Sequence, residues 1–428
     1  MSKPYIIREH ESFTRGKVNS CEGFIPLDHH TFDRLENFIL QNRWKEETEA
    51  LELMSVSSKR GIGKIITARN YVGLVIMKDG TAIEILPKIY SKGEVDSCVT
   101  KKVFLEMLKT VKEVPYKTFN VSSLKAEHIN LFEIFIRMFI EEVYAIVKGG
   151  LKTSYLSYSG NESFFKGKLL VLKHIKHNMC HKERIYVEYD VLSPNRPENK
   201  LIKSTLQLLQ KHTTNSKNKK DLSNLMASFV GIDVSRNPHH DFSLYVKNRN
   251  MSGYDTALKW CKVFLLNKSF TAFAGSELAY ALLFPMEYVF ECYVAAKLKK
   301  VLDKEKYSIS IQDKSNYLFD YPSKKFALKP DIVLKDNTSG KKIVLDTKWK
   351  LLAPCYPNFG ISQADMYQMY AYGKKYAAHK VILLYPWNEN VRGLSGEVSF
   401  SSNDGVFVNV MFVDLMNIDK SIEHIFSA

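Results

Sequence analysis

Apolar and polar positions alternate most regularly over residues 62–89, IGKIITARNYVGLVIMKDGTAIEILPKI. Val72, Leu74 and Ile76, and again Ile83 and Ile85, fall on one side of an extended chain. Asp79-Gly80 between the two runs is a hairpin turn sequence. Residues 1–97 are therefore expected to form a small β-rich unit. From about residue 100 the spacing lengthens. Leu131, Phe135, Met138, Phe139, Val143 and Ile146 recur at helical spacing, after Asn130 and before Gly149-Gly150, and predict a buried helix. NKLIKSTLQLLQKH at 199–212 repeats the pattern and runs into TTNSKNKKD, which reads as a solvated loop. A further helix around Tyr254 to Leu266 leads to the loop NKSFTAFAGSE, so residues 98–280 are expected to be mainly helical. After that loop the order changes to a helix (284–303), strands (308–319, 325–334, 341–349), a helix (361–378) and a strand (380–386). Residues 281–428 therefore predict a mixed domain, and the whole chain reads as α/β in the broad sense, a multidomain α+β protein.

Composition narrows the partners. The 428 residues are 45% hydrophobic and 25% charged, the balance of a folded chain, and 61 Lys and Arg against 46 Asp and Glu leave a net charge of +15, which favours a polyanion. Six cysteines lie scattered with no CxxC pair, as in a reducing compartment. The start, MSKPYIIREHES, has no apolar core, and nowhere do about 18 apolar residues run together. A cytoplasmic protein that does not span a membrane is expected. GxxxxGK[ST] occurs nowhere, and Gly61-Ile-Gly63-Lys64 does not complete it, so no nucleotide site of the chain's own is expected.

Candidate chemistry lies in LKPDIVLKDNTSGKKIVLDTKWK, residues 328–350. Two apolar runs flank Asn337-Thr338-Ser339-Gly340, a turn sequence. Asp331 and Asp346 are equidistant from its middle, so a hairpin folded there sets the two carboxylates opposite one another. Lys348, two residues past Asp346, shares its face. Acids at neighbouring strand ends in a sequence written for burial are costly unless they bind something, and Mg²⁺ (with Mn²⁺ as a substitute) needs only one or two carboxylates beside substrate phosphate oxygens. Asp331 and Asp346 would be ligands, the main-chain carbonyl of Thr347 another, and Lys348 would orient water or stabilise the transition state. A salt-bridged hairpin would show the same residues, so the flanks matter.

Upstream, FPMEYVFECYVAAKL buries Met286, Val289, Phe290, Tyr293 and Val294 and puts Glu287 and Glu291 one turn apart, either a candidate third acid. Downstream, QADMYQMYAYG sets Gln368 and Tyr372 on one helix face. A competing cluster, His174, His177, Cys180 and His181 in KHIKHNMCHKER, uses zinc-binding residue types without a second ligand pair at finger spacing. It reads better as an exposed basic segment, with Lys173, Lys176, Lys182 and Arg184 free to meet phosphates or a partner.

In order, an acid-bearing helix, Pro-Asp, Asp-x-Lys and Gln-x-x-x-Tyr resemble the PD-(D/E)xK nucleases, the last motif their RecB-like branch. More of the chain is similar to the McrC family of restriction proteins: NYVGLVIMKDGTAIEILPKI (70–89), LFEIFIRMFIEEV (131–143), FKGKLLVLKHI (165–175), SPNRPENKLIKSTL (193–206), KPDIVL, LDTKWK and ISQADMYQMYAYG. The resemblance implies a restriction-endonuclease-like sheet flanked by helices in the last third and a magnesium-dependent DNA endonuclease. It also implies a partner, the hexameric AAA+ GTPase McrB, whose hydrolysis such a chain stimulates and whose channel the middle region enters. The family's nuclease residues carry over to Asp331, Asp346, Lys348 and Gln368. Two other readings remain: a non-cleaving stimulatory or DNA-binding subunit with a vestigial nuclease fold, and a stand-alone RecB-like repair nuclease.

Overall fold

The computed structural model describes residues 5–16, 23–42, 54–77, 81–89, 97–111, 130–245, 253–266, 278–392 and 398–427. The chain divides into two compact units, Met1–Leu131 with Ser269–Ala428, and Phe132–Lys268. The second lies within the segment 98–280 read as mainly helical, while the β-rich start and the last third fall in one unit.

The first unit opens with β1 (Tyr5–Arg8), β2 (Ser12–Arg15), β3 (Phe24–Leu27), α1 (His29–Asn42), β4 (Met54–Lys59), β5 (Gly63–Ala68), β6 (Tyr71–Met77), β7 (Ala82–Leu86) and α2 (Ser97–Leu108). Strands β3-β2-β5-β4 form one sheet; β1-β7-β6 form another, completed by residues 278–285. The Asp79-Gly80 turn lies outside the described residues. Helix α1 was not expected, yet Phe32, Leu35, Phe38 and Ile39 recur at helical spacing and pack with Ile7, Phe13, Ile66, Val75 and Ile85 in one core. Strand β6 is buried at every position. At Gly73, φ is +143° and an added Cβ would lie 1.9 Å from the Leu282 carbonyl oxygen, so the close approach of that strand requires glycine. Glu84 of β7, fully buried, accepts the Leu131 N–H at 2.6 Å and lies 2.7 Å from the Lys101 ammonium of α2.

The second unit contains α3 (Leu131–Lys148) from Phe132 onward, β8 (Ser154–Glu162), β9 (Lys168–Leu169), α4 (Val171–Asn178), β10 (Ile185–Ser193), α5 (Pro197–His212), α6 (Ser216–Ala227), α7 (Pro238–Ser243) and α8 (Asp255–Leu266). Phe132, Phe135 and Phe139 of α3 pack edge-on or tilted against Trp260 and Phe264 of α8. Buried Glu133 accepts hydrogen bonds from Thr213 Oγ1, the Thr214 N–H and Asn218 Nδ2, fixing the turn from α5 to α6. TTNSKNKKD is not wholly a loop: the Asn215 side chain accepts from the N–H groups of Lys217 and Asn218, and Ser216 onward is helix. Also unforeseen is an antiparallel sheet, β8-β10-β9, whose β8 and β10 pair from Ser154 opposite Ser193 to Glu162 opposite Ile185. Most of β8 is exposed. Tyr155, Phe164, Phe165, Leu172 and Met179 of this arm are more than half exposed. Period-two patterning is weak in β8 because most of that strand is exposed.

Returning to the first unit, β11 (Leu278–Pro285) joins β6 antiparallel and leads into α9 (Met286–Val301). Then follow β12 (Tyr307–Ile311), β13 (Tyr317–Phe319), β14 (Lys325–Ala327), β15 (Ile332–Asp336), β16 (Lys342–Thr347), α10 (Gln363–Lys375), β17 (Lys380–Pro386), β18 (Val398–Ser401), β19 (Phe407–Val413) and α11 (Ile418–Ser427). A mixed six-stranded sheet runs β12-β15-β16-β17-β19-β18, parallel at β16-β17-β19 and antiparallel elsewhere. Two expected strands are each broken. Gln312 turns to positive φ before an Asp313–Ser315 turn, and Pro330 offers no N–H to the ladder, so β13 and β14 leave as a separate ribbon. No described helix is long and apolar enough to cross a membrane.

Candidate active site

The hairpin β15-β16 folds where the sequence places it. Asp336 Oδ1 accepts the N–H groups of Thr338 and Ser339, and Gly340, at φ +71°, closes the turn. The pairing of Lys335 with Lys342 runs out to Ile332 with Leu345, and the next pair in that register is Asp331 with Asp346. Asp331 Oδ2 accepts from the Thr347 N–H at 2.7 Å and the Thr347 hydroxyl at 2.6 Å. Asp346 is 1% exposed; its Oδ2 lies 2.7 Å from Lys348 Nζ, a close ion pair not aligned as a hydrogen bond. Lys348 donates to Gln368 Oε1 at 3.2 Å, and Gln368 Nε2 donates to the Tyr372 hydroxyl at 2.7 Å. The main-chain N–H of Lys348 bonds Leu384 O of the adjacent β17.

Helix α9 distinguishes its two acids. Glu291 accepts from Gln312 Nε2 at 3.0 Å, and the Gln312 N–H bonds the Asp331 carbonyl. Glu287 is exposed; it lines a cavity of about 200 Å³ with Arg69, Asn70, Tyr71 and Pro285, and its charge acts on Glu9 and Lys88. Glu291 is thus the helix acid next to Asp331.

Electrostatics follow from this crowding. Burial, then the neighbouring Asp331 charge, pushes the Asp346 carboxyl up to about 7 against the pull of Lys348. Burial also raises Asp331, opposed by its two Thr347 bonds. Glu291 is pushed up to about 7 by burial and Asp331. Although burial works against its charge, Lys348 is held above its ordinary value by Asp346, Asp365 and Asp331. Among the described residues no three His, Cys, Asp or Glu side chains gather into an all-protein metal cage. The donor set nevertheless fits a hard divalent cation: two facing carboxylates whose mutual repulsion a dication would relieve, one with an oxygen free of aligned hydrogen bonds. Main-chain Thr347 sits beside both acids, and Glu291 is close enough to feel Asp331.

In the histidine segment each ring is engaged apart from the others. His174 Nδ1 meets Asn178 Nδ2, His177 stacks on Tyr186 and His181 meets Glu183. Lys173, Lys176, Lys182 and Arg184 are exposed.

Sequence reasoning missed two neighbours. Asp365 lies 3.9 Å from Lys348; its signal was its position one turn before Gln368. Tyr385 of β17 is fully buried, its hydroxyl has no hydrogen-bond partner among the described residues, and Asp365 and Asp346 are the charges acting on it. Inside the apolar run VILLYP nothing marks it.

The family model described as McrBC 5-methylcytosine restriction system component matches residues 66–386. No curated protein matches the chain. Solved structures share its fold, two of them from one organism. One is a refined half-complex from a tetradecameric assembly of Thermococcus gammatolerans McrB AAA+ hexamers with bound McrC, similar at 20% identity over 99% of both chains with a TM-score of 0.75. The other is the McrBC complex of the same organism, similar at 19% identity over 71% of this chain and 89% of that one, with a TM-score of 0.52.

Proposed function

The chain belongs to the family of McrBC 5-methylcytosine restriction system components, and from that premise we propose that it is the nuclease subunit of such a system, a Mg²⁺-dependent DNA endonuclease driven by an AAA+ GTPase ring. The observation that carries this reading is the facing of buried Asp346 and half-buried Asp331, with Lys348 against them. A cation held by Asp331, Asp346, the Thr347 carbonyl and Glu291 would polarise the scissile phosphate and acidify a bound water.

The chain's own residues do the rest. Thr347 fixes the Asp331 carboxylate through two hydrogen bonds. Tyr372 sets the Gln368 amide so that its oxygen faces Lys348, and Gln368 with Asp346 holds the ammonium where it can meet an attacking water or the charge on a pentavalent phosphorus. A vestigial site is disfavoured because Asp331, Asp346 and Lys348 are all intact and adjacent. A stand-alone repair nuclease is disfavoured because it gives no role to the second unit.

For the partner, support comes from that second unit. Its β8-β10-β9 arm exposes Tyr155 of β8 at 72%, and the adjoining helix α4 exposes Leu172 at 85%, more apolar surface than an arm bathed only in water would carry. The reading assigns this arm to the AAA+ ring. Cleavage of plasmid DNA by the full chain with Mg²⁺, an AAA+ partner and GTP tests the nuclease reading. Asp346→Asn and Lys348→Ala should abolish cutting, and cutting by both would remove the assignment.

A further inference from the structure

Glu9 belongs to the β-rich start of the chain, far in sequence from the chemistry, and is 3% exposed. Its main chain is fixed from both sides: the Glu9 N–H bonds Leu86 O at 3.0 Å and the His10 N–H bonds Ala68 O at 2.9 Å. Its carboxylate accepts the Lys88 main-chain N–H at 3.0 Å and, from the other direction, the Trp349 indole N–H, 3.1 Å from Oε1 and 2.9 Å from Oε2. Trp349 is 4% exposed and directly follows Lys348. Its ring packs on Phe290 of α9 at 5.4 Å, the residue before Glu291. The indole is therefore gripped by the β-rich segment on one side and by the acid-bearing helix on another.

That grip falls where the active strand ends. β16 stops at Thr347, so Lys348 and Trp349 lie beyond its last strand residue. Lys348 must still hold its ammonium between Asp346 and Gln368. A shift of about one ångström in such a group costs about a hundredfold in rate. Stability alone gives little reason to bury a carboxylate here, since an apolar pair would pack without the desolvation cost that pushes Glu9 up to about 7. The indole N–H does need an acceptor, and a carboxylate with a fixed backbone is a rigid one.

We propose that Glu9 is a positioning residue: by holding the Trp349 indole it sets where Lys348 lies, so that the β-rich start of the chain completes the nuclease site. This rests on the nuclease reading above. Holding the N–H needs an acceptor oxygen and no charge, so glutamine should serve in place of glutamate.

The test uses the full-length chain with plasmid DNA, Mg²⁺, an AAA+ partner and GTP, with kcat and KM for DNA measured separately beside melting temperature. Glu9→Ala and Trp349→Phe are each expected to lower kcat by about 10- to 100-fold with KM changed by less than about twofold. The double variant should fall no further than the worse single one. Glu9→Gln should stay within about threefold of the parent. Phe13→Leu, which loosens the same core without touching Trp349, should lose melting temperature and keep kcat. The proposal is overturned if Glu9→Ala cuts at the parent rate, if Glu9→Gln is as poor as Glu9→Ala, or if Phe13→Leu loses the same activity for the same loss of melting temperature. Lys348→Ala separates the two failures. Cutting by that variant sinks the nuclease reading; its silence beside an unaffected Glu9→Ala sinks only the positioning role.

Discussion

Asp346 illustrates how much a single residue gives up for chemistry. A carboxylate that is 1% exposed and faces a second acid is a poor contributor to folding. In metal-free buffer, Asp346→Asn should therefore be as stable as the parent or more stable by about 1–2 kcal/mol, while cleavage is lost. Lower stability by urea denaturation would show that the acid is part of a structural pair instead. Glu9 gives the pH counterpart. Burial raises it from 4.5 to about 7, assisted by the Glu287 charge and opposed by Lys88, its hydrogen bonds and Trp349. Since the folded value lies above the unfolded one, the folded state holds the extra proton between them. The contribution of Glu9 is therefore full below pH 4.5 and falls as pH rises through 7. Glu9→Gln does not titrate, so its stability relative to the parent should improve by about 3 kcal/mol between pH 4.5 and pH 8. A pH-independent difference would refute the assignment of that shift to Glu9.

At the scale of elements, two contacts decide which segments hold together. Gly73 lets β6 approach β11, and Gly73→Ala would place a methyl carbon 1.9 Å from the Leu282 carbonyl oxygen. Denaturant titration should show a loss of at least about 3 kcal/mol, because the clash is with backbone and cannot be relieved by a rotamer. In the second unit Glu133 satisfies donors of the α5-to-α6 turn, and Glu133→Ala takes the acceptor from the buried Thr213 hydroxyl and the Thr214 N–H and one of two acceptors from buried Asn218 Nδ2. A cost of about 3 kcal/mol is expected, and near-neutral stability would mean that water replaces the carboxylate.

For the whole molecule, the sheet β1-β7-β6-β11 takes three strands from before the second unit and one from after it. A fragment ending near residue 280 would lose most of the β11 pairing with β6, so surface variants are the cleaner probe of the partner. Tyr155→Ser with Leu172→Ser should leave melting temperature unchanged and reduce the stimulation of a partner ring's GTP hydrolysis by about tenfold. Unchanged stimulation would place the contact elsewhere. The net charge of +15 predicts weak DNA binding by the isolated chain with steep salt dependence. Affinity that holds between 50 and 200 mM salt, about the range over which phosphate contacts weaken by orders of magnitude, would argue against a phosphate-led mode.

What the sequence determined by itself was local. A turn centred between Asp331 and Asp346 fixes a hairpin register by counting, and Asp-x-Lys on a strand fixes a shared face. Gln368 and Tyr372 four apart fix one side of a helix; each follows from chain geometry over a few residues. Strand ends were less legible, because Gln312 and Pro330 break ladders through single-residue effects that average patterning overlooks. Harder to read was the β8-β10-β9 arm: most of β8 is exposed and irregularly patterned, and only Ile185, Val187, Tyr189 and Val191 of β10 alternate with polar residues. Tertiary structure alone chose Glu291 over Glu287 at the acids, since both share the edge of one helix and only packing decides which meets Asp331. It alone brought Glu9 to Trp349 across 340 residues of chain. A polar contact at that separation leaves no periodic trace; it exists because both groups are buried, so that the indole N–H needs an acceptor and the carboxylate needs donors.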